Sequence, residues 1–180
     1  MTNRKRALVV IDLQNDYFPD GALPLWNPEA TLANAEQAIG KAHALGIPVI
    51  LVQHVSQGPR SGLFDADTAG VEIHPRIRAA APDAPVVVKA FADSFWQTTL
   101  DDTLQRLGVD DLLIGGMMTQ NCVTHTAISK SAEKYGVTVL SDCCTTVSEL
   151  IHKFAVNAMS TRVAVETAEV AFGGAAGEPI

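Results

Sequence analysis

Only three cysteines occur in 180 residues, and two of them, Cys143 and Cys144, are adjacent. An odd count containing a vicinal pair does not make the disulfide framework that staples small secreted domains. No signal-like segment precedes the first apolar run, so a reduced, cytoplasmic setting is the expectation. Long apolar stretches are missing as well: runs such as 7–11 and 47–52 fall far short of the roughly 20 residues that cross a bilayer. Basic residues are the scarcer charge, 13 against 20 acidic for a net charge of -7, and they are scattered apart from Arg4, Lys5 and Arg6. Such an acidic surface repels phosphate backbones and anionic lipid, so neither nucleic acid nor membrane is expected as a partner. The first strand leads into Asp12-Leu13-Gln14-Asn15 and not into a G-x-G-x-x-G turn. Without that turn a pyrophosphate has no close backbone approach, which argues against a dinucleotide-binding module. There is no composition break either, and 180 residues suffice for one domain with a substantial core.

What is present is a repeated alternation. Short aliphatic runs at 7–11, 47–52, 86–88, 112–115, 137–141 and 162–166 read as six strands, most without a polar alternate, as expected for strands buried on both faces of a parallel sheet. Between them, 28–45, 98–107, 121–135 and 147–159 have helical spacing, and Gly46, Gly108 and Gly136 follow three of these where a helix end wants positive φ. Helix, glycine, strand in repetition predicts a three-layer α/β fold with a doubly wound, mostly parallel six-stranded sheet. The stretch 56–84, rich in Gly, Pro and charge, reads as a long excursion over the sheet, and the tail after Val170 as mobile or as reaching a neighbouring subunit.

Open α/β sheets bind ligands beyond the carboxyl ends of their strands. Asp12 stands after the first strand, His54 past the second, Lys89 after the third, and Gly115 to Cys122 after the fourth. A lone cysteine is more often a small buried hydrophobe, and an Asp after a strand is often a cap. Cys122, however, falls in the first turn of the helix after the fourth strand, where unpaired N–H groups and the helix dipole favour a thiolate and can cradle an oxyanion. Asp12 and Lys89 each end an apolar strand, so their charges must be paired or used. Three ionisable groups of complementary type on one sheet edge point to a catalytic cluster.

Asp12 in a D-x-Q-x-D-F/Y setting, Lys89 at the end of the third strand and Gly116 to Val123 as G-x-x-T-x-x-C-V resemble the isochorismatase-like cysteine hydrolases, in order and spacing, over residues 7 to about 166. The resemblance implies an Asp12, Lys89, Cys122 triad that cleaves a C–N bond of a small amide, ureido or lactam substrate through a thioester. It implies a cis peptide at Met117–Met118, an oxyanion hole formed by the N–H groups of Met118 and Cys122, and a homo-oligomer, a dimer or tetramer. Gln14 and Phe18, matched to the first motif, are expected to shape the substrate pocket, with Trp26 covering it and His54 and Met117 beside it. Phe91, Ser94, Phe95 and Trp96, in a segment similar to the family's K-x-x-x-S-x-F region, are expected to form a wall.

No cofactor and no metal are expected. His54 has no second ligand at short spacing, and Asp65, Asp67 and His74 differ in order and spacing from the Asp-x-His pattern that holds a metal in nicotinamidases of this family. His125 shares a helix face with Cys122, but two side chains of one helix rarely meet with the imidazole aimed at the sulfur. Cys143 and Cys144 read as packing residues. Two other functions remain open to this sequence: acid-catalysed enol ether hydrolysis, as in isochorismatase itself, and a non-catalytic binding or redox-sensing role for Cys122.

Overall fold

The computed structural model describes residues 4–173. Six strands form one sheet: β1 (Arg6–Ile11), β2 (Val49–His54), β3 (Val86–Lys89), β4 (Asp111–Met117), β5 (Gly136–Thr145) and β6 (Ala164–Glu166). Their order is β3-β2-β1-β4-β5-β6, and all five pairings are parallel. Among the described residues the helices between them are α1 (Pro28–Ala44), α2 (Pro75–Ala80), α3 (Leu100–Leu107), α4 (Thr124–Ala127) and α5 (Glu149–Met159), and α6 (Ala168–Ala171) follows β6.

The sheet separates two cores. On one face Leu8, Val10, Val49 and Leu51 pack with Leu32, Ala35 and Ile39 of α1, Ile77 of α2 and Ala168 of α6. On the other, Ala7, Val9, Ile11, Ile50, Val52 and Val87 pack with Leu100 and Leu104 of α3, Val123, Ala127 of α4 and Met159 of α5. Adjacent residues along β1 therefore feed opposite cores, which is why its sequence shows no polar alternate.

Gly46 and Gly108 close α1 and α3 at φ 66° and 64°, the left-handed turn expected of a helix end. Gly136 does a different job. It opens β5, where a Cβ would lie 1.9 Å from Asp111 Oδ1.

Two expectations need correction. The helix predicted over 121–135 is broken into a π turn (Thr119–Val123), α4 and a 3-10 turn (Lys130–Lys134), because the Ser129 side chain accepts from the Ser131 N–H and starts a new turn. Val86 and Val88 are not buried on both faces, since β3 is an edge strand and leaves them 36 % and 54 % exposed. The excursion over 56–84 contains α2 and is fastened to the sheet's end by an isolated bridge between Gln14 and Ile73. Of the tail after Val170, the structure describes α6 and its end; Gly174, Gly177 and Pro179 lie outside the described residues.

Candidate active site

Strand order reverses at β1, with β2 and β3 on one side and β4 to β6 on the other, so the crevice between the carboxyl ends of β1 and β4 is the switch point of the sheet. Asp12 follows β1 directly. It adopts a left-handed conformation at φ 53°, which Asp tolerates better than most residues, while its N–H still donates to Val52 O at 3.0 Å. Across the crevice, Gly116 at φ 140° lets β4 close on β1: a Cβ there would sit 2.0 Å from the Ile11 carbonyl oxygen. The Met117–Met118 peptide bond that follows is cis.

Cys122 lies in the π turn, an element that recurs at functional sites. The Met118 carbonyl accepts from the Asn121 and Val123 N–H groups, and Thr124 Oγ1 donates to Thr119 O at 2.6 Å, so the turn is tied at both ends. Two long-range braces hold it. Thr119 Oγ1 is 2.9 Å from His152 Nδ1 of α5, and Thr126 Oγ1 donates to Ser94 Oγ at 2.8 Å while accepting the Ser94 N–H. The Ser94 contact couples the segment after Lys89 to the helix after Cys122.

Lys89 ends β3, two strands from β1, and its four-carbon stem carries the ammonium past the end of β2. Its Nζ lies 2.8 Å from Asp12 Oδ2, 3.0 Å from His54 Nδ1, 3.1 Å from the Phe91 carbonyl and 3.2 Å from Cys122 Sγ. Asp12, Lys89 and Cys122 are 0 %, 2 % and 2 % exposed, so the cluster is shut off from bulk water. Asp12 Oδ2 is the nearest of these atoms, so the ammonium and the carboxylate form a buried ion pair, with the Cys122 thiol as the carboxylate's other polar neighbour. One ligand atom each from Asp12, His54 and Cys122 lie within 4.8 Å of one another, a set that has the chemistry to hold a metal ion. The Lys89 ammonium, within about 3 Å of all three residues, already supplies the positive charge there.

Burial and the neighbouring Asp12 carboxylate push the Cys122 thiol well above its ordinary range, more than Lys89 pulls it down. The thiolate expected from the helix N-terminus is therefore overturned for the resting site, where desolvation outweighs the turn's dipole. Burial works against the Lys89 charge, but Asp12 and Cys122 outweigh it and raise the ammonium above its usual value. His54 is lowered by burial first and by Lys89 second, against the opposing pull of Asp12.

The residues expected around the pocket divide. His54 joins the cluster itself, its backbone in register with Lys89. Gln14 acts as a clamp: its Oε1 accepts the His54 N–H, and its Nε2 donates to the carbonyls of His54 and Val71. Phe18 is buried against the His74 ring and lines a cavity of about 420 Å³ with Asp16, Asp20 and Glu29, none of the cluster being among its walls. Phe95 belongs to the core, stacked on Tyr135 at 6.2 Å. Phe91 contributes its carbonyl to Lys89 and lines a cavity of about 180 Å³ with Val55, Lys89 and Gln97. Met117 is fully buried in the core at the head of the turn. Trp26 is half-exposed, 6.3 Å from the His152 ring, its backbone pinned to Thr145 and Thr146.

Asp65 caps the Ser61 and Gly62 N–H groups, His74 caps α2, and His125 bonds back to the Asn121 carbonyl at 2.8 Å. The braces from Thr126 and His152 were missed by sequence reasoning, since partners more than 30 positions apart leave no local spacing to read.

The isochorismatase domain model matches residues 6–169. The chain belongs to the isochorismatase family. It is 39 % identical over 142 residues to the uncharacterized isochorismatase family protein YddQ of Bacillus subtilis, covering 79 % of this chain and 78 % of that one. The maleamate amidohydrolase of Pseudomonas putida is 28 % identical, over 78 % of this chain and 72 % of the relative. The crystal structure of an isochorismatase family protein from Desulfovibrio vulgaris superposes with a TM-score of 0.84 at 28 % identity, covering 94 % of this chain and 97 % of that one. The chain is thus an isochorismatase-family hydrolase with the family's parallel α/β sheet.

Proposed function

We propose that this family member hydrolyses a C–N bond of a small amide, ureido or lactam substrate, with Cys122 as nucleophile, Asp12 as general base and then acid, and Lys89 as the fixed positive charge. The observation that carries this reading is the Asp12 carboxylate: fully buried, paired with the Lys89 ammonium, and beside a thiol whose proton burial holds in place. An unsolvated carboxylate next to a reluctant thiol is a base that acts only as the sulfur attacks. The Cys122 proton passes to Asp12 as the S–C bond forms, and the N–H groups of Met118 and Cys122 take the developing oxyanion in this reading. As the C–N bond breaks, Asp12 returns the proton to the leaving nitrogen. Water then adds to the thioester, the C–S bond breaks, and the thiol regains a proton as the acid departs. The ammonium of Lys89 compensates the negative charge throughout, and no metal takes part.

The amidohydrolase among the relatives favours amide chemistry over the cleavage of an enol ether. The test is ammonia or amine release across a panel of small primary amides, ureido compounds and lactams, run beside Cys122→Ala and in the presence of a chelator. Release that survives chelation and disappears in Cys122→Ala is the expected result. Undiminished turnover by Cys122→Ala would overturn the thiol mechanism.

A further inference from the structure

We propose that His54 is a positioning residue for the cluster: its neutral imidazole takes one N–H of the Lys89 ammonium and thereby limits the hydrogen bonding that would make the Asp12 carboxylate a weaker base for the Cys122 proton. The inference rests on the assignment of Cys122 and Asp12 as nucleophile and base, and it adds a fourth side chain to them.

An ammonium has three hydrogens and no lone pair. Around Lys89 Nζ, three acceptors lie in hydrogen-bond geometry: His54 Nδ1 at 3.0 Å, the Phe91 carbonyl at 3.1 Å and Cys122 Sγ at 3.2 Å. Asp12 Oδ2, the nearest atom at 2.8 Å, is a fourth claimant, so four acceptors share three hydrogens and what His54 takes is withheld from the carboxylate. Because Lys89 can only donate, His54 Nδ1 must carry the lone pair and Nε2 the proton. The tautomer is set by the partner.

His54 is held for this task. Gln14 binds its N–H and its carbonyl at 2.8 Å each, β2 places it in register with Lys89, and the Phe64 ring lies 5.5 Å from its own. The charged and titratable groups facing it are Lys89 from β3, Asp12 from the end of β1 and Cys122 from the turn after β4. A protonated imidazole would set donor against donor and cation against cation at Nζ. Burial, with Lys89 second, opposes that protonation, so the arrangement persists through neutral pH and fails as pH falls below the ordinary imidazole range. Remove the acceptor, and the freed N–H turns to Asp12 Oδ2, where a hydrogen bond to the charged form makes the carboxylate a weaker base.

Nitrogen-15 NMR of the wild-type protein reads the His54 tautomer directly. Alkylation of Cys122 by iodoacetamide, followed by mass spectrometry across pH, reads the base in wild type, His54→Leu and His54→Asn, the last supplying an acceptor that does not titrate. The expected result is the Nε2–H tautomer at neutral pH and alkylation slowed about tenfold in His54→Leu, the scale of one hydrogen bond to a charged group. In His54→Asn most of the rate should return, with an acid limb that no longer follows the His54 titration seen by NMR. An Nδ1–H tautomer overturns the proposal; so does a wild-type rate and pH profile in His54→Leu, or a His54→Asn protein as slow as His54→Leu. None of these readouts needs turnover of a substrate. A substrate panel without Cys122-dependent release would count against the proposed hydrolysis and leave the His54 tautomer to be judged on its own.

Discussion

Lys89 and Asp12 form an ion pair that bulk water does not reach, both side chains being 0 % exposed. Taking two charges out of water is costly, and the pair persists because each offsets the other's desolvation. Lys89→Met should therefore destabilise the protein by about 3–5 kcal/mol, since it strands the Asp12 carboxylate in the core. Adding Asp12→Leu removes the stranded charge and should recover much of that loss; urea unfolding of the two single variants and the double variant measures the coupling. If Lys89→Met alone were as stable as wild type, the two charges would not be balancing one another. The surface pair of Arg76 with Glu36 obeys different physics, because water and salt screen it and its removal should cost about 1 kcal/mol or less.

Among the elements, the junction of β1 and β4 places the most demanding constraint on the site. Their pairing runs in register from Arg6 with Asp111 to Ile11 with Gly116, and at its last step only hydrogen fits between the strands. Gly116→Ala puts a Cβ 2.0 Å from the Ile11 carbonyl oxygen at a φ of 140° that an L side chain rarely adopts, so the two strand ends must part. A loss of about 3 kcal/mol or more is expected, together with the loss of Cys122 reactivity, because the π turn hangs from that strand. Gly40→Ala in α1, where an added Cβ meets nothing within 4 Å, is the matched control. It should stabilise by about 0.5–1 kcal/mol through helix propensity. Thermal melts of both variants separate a steric constraint from a general intolerance of glycine replacement.

Across the whole molecule, buried groups that keep their protons define a window of stability. Burial holds Cys122, Cys143 and Tyr17 far above their ordinary values and pushes Cys144 from 9.0 up to about 12. Unfolded thiols lose protons from about pH 9 while native ones retain them, so this stabilisation is complete below that pH and declines as pH rises. Burial also lowers His54, His74 and His152 from 6.5, so the unfolded chain takes up protons first on the acid side and stability falls as pH drops below that value. Urea midpoints under reducing conditions should be flat between about pH 6.5 and about pH 9. Beyond the alkaline edge the decline should be up to roughly 1.4 kcal/mol per pH unit for each thiol involved. A midpoint unchanged at about pH 10.5 would show that the thiols ionise in the native protein.

The sequence by itself determined the alternation of six strands with helices, because strands buried on both faces of a parallel sheet write themselves as continuous apolar runs. It also determined that Asp12, Lys89 and Cys122 belong together, since a charge at the end of such a run must find a partner. Tertiary structure alone decided what surrounds them. Val88 looks like a core residue until strand order makes β3 an edge, and nothing in the sequence near Gln14 tells that its amide clamps the His54 backbone. The thiol's protonation was misjudged for the same reason: local spacing reveals a helix N-terminus, but desolvation depends on everything packed around the sulfur. His54 meets Lys89 because β2 and β3 pair in one register, a contact between residues 35 positions apart that no local pattern encodes.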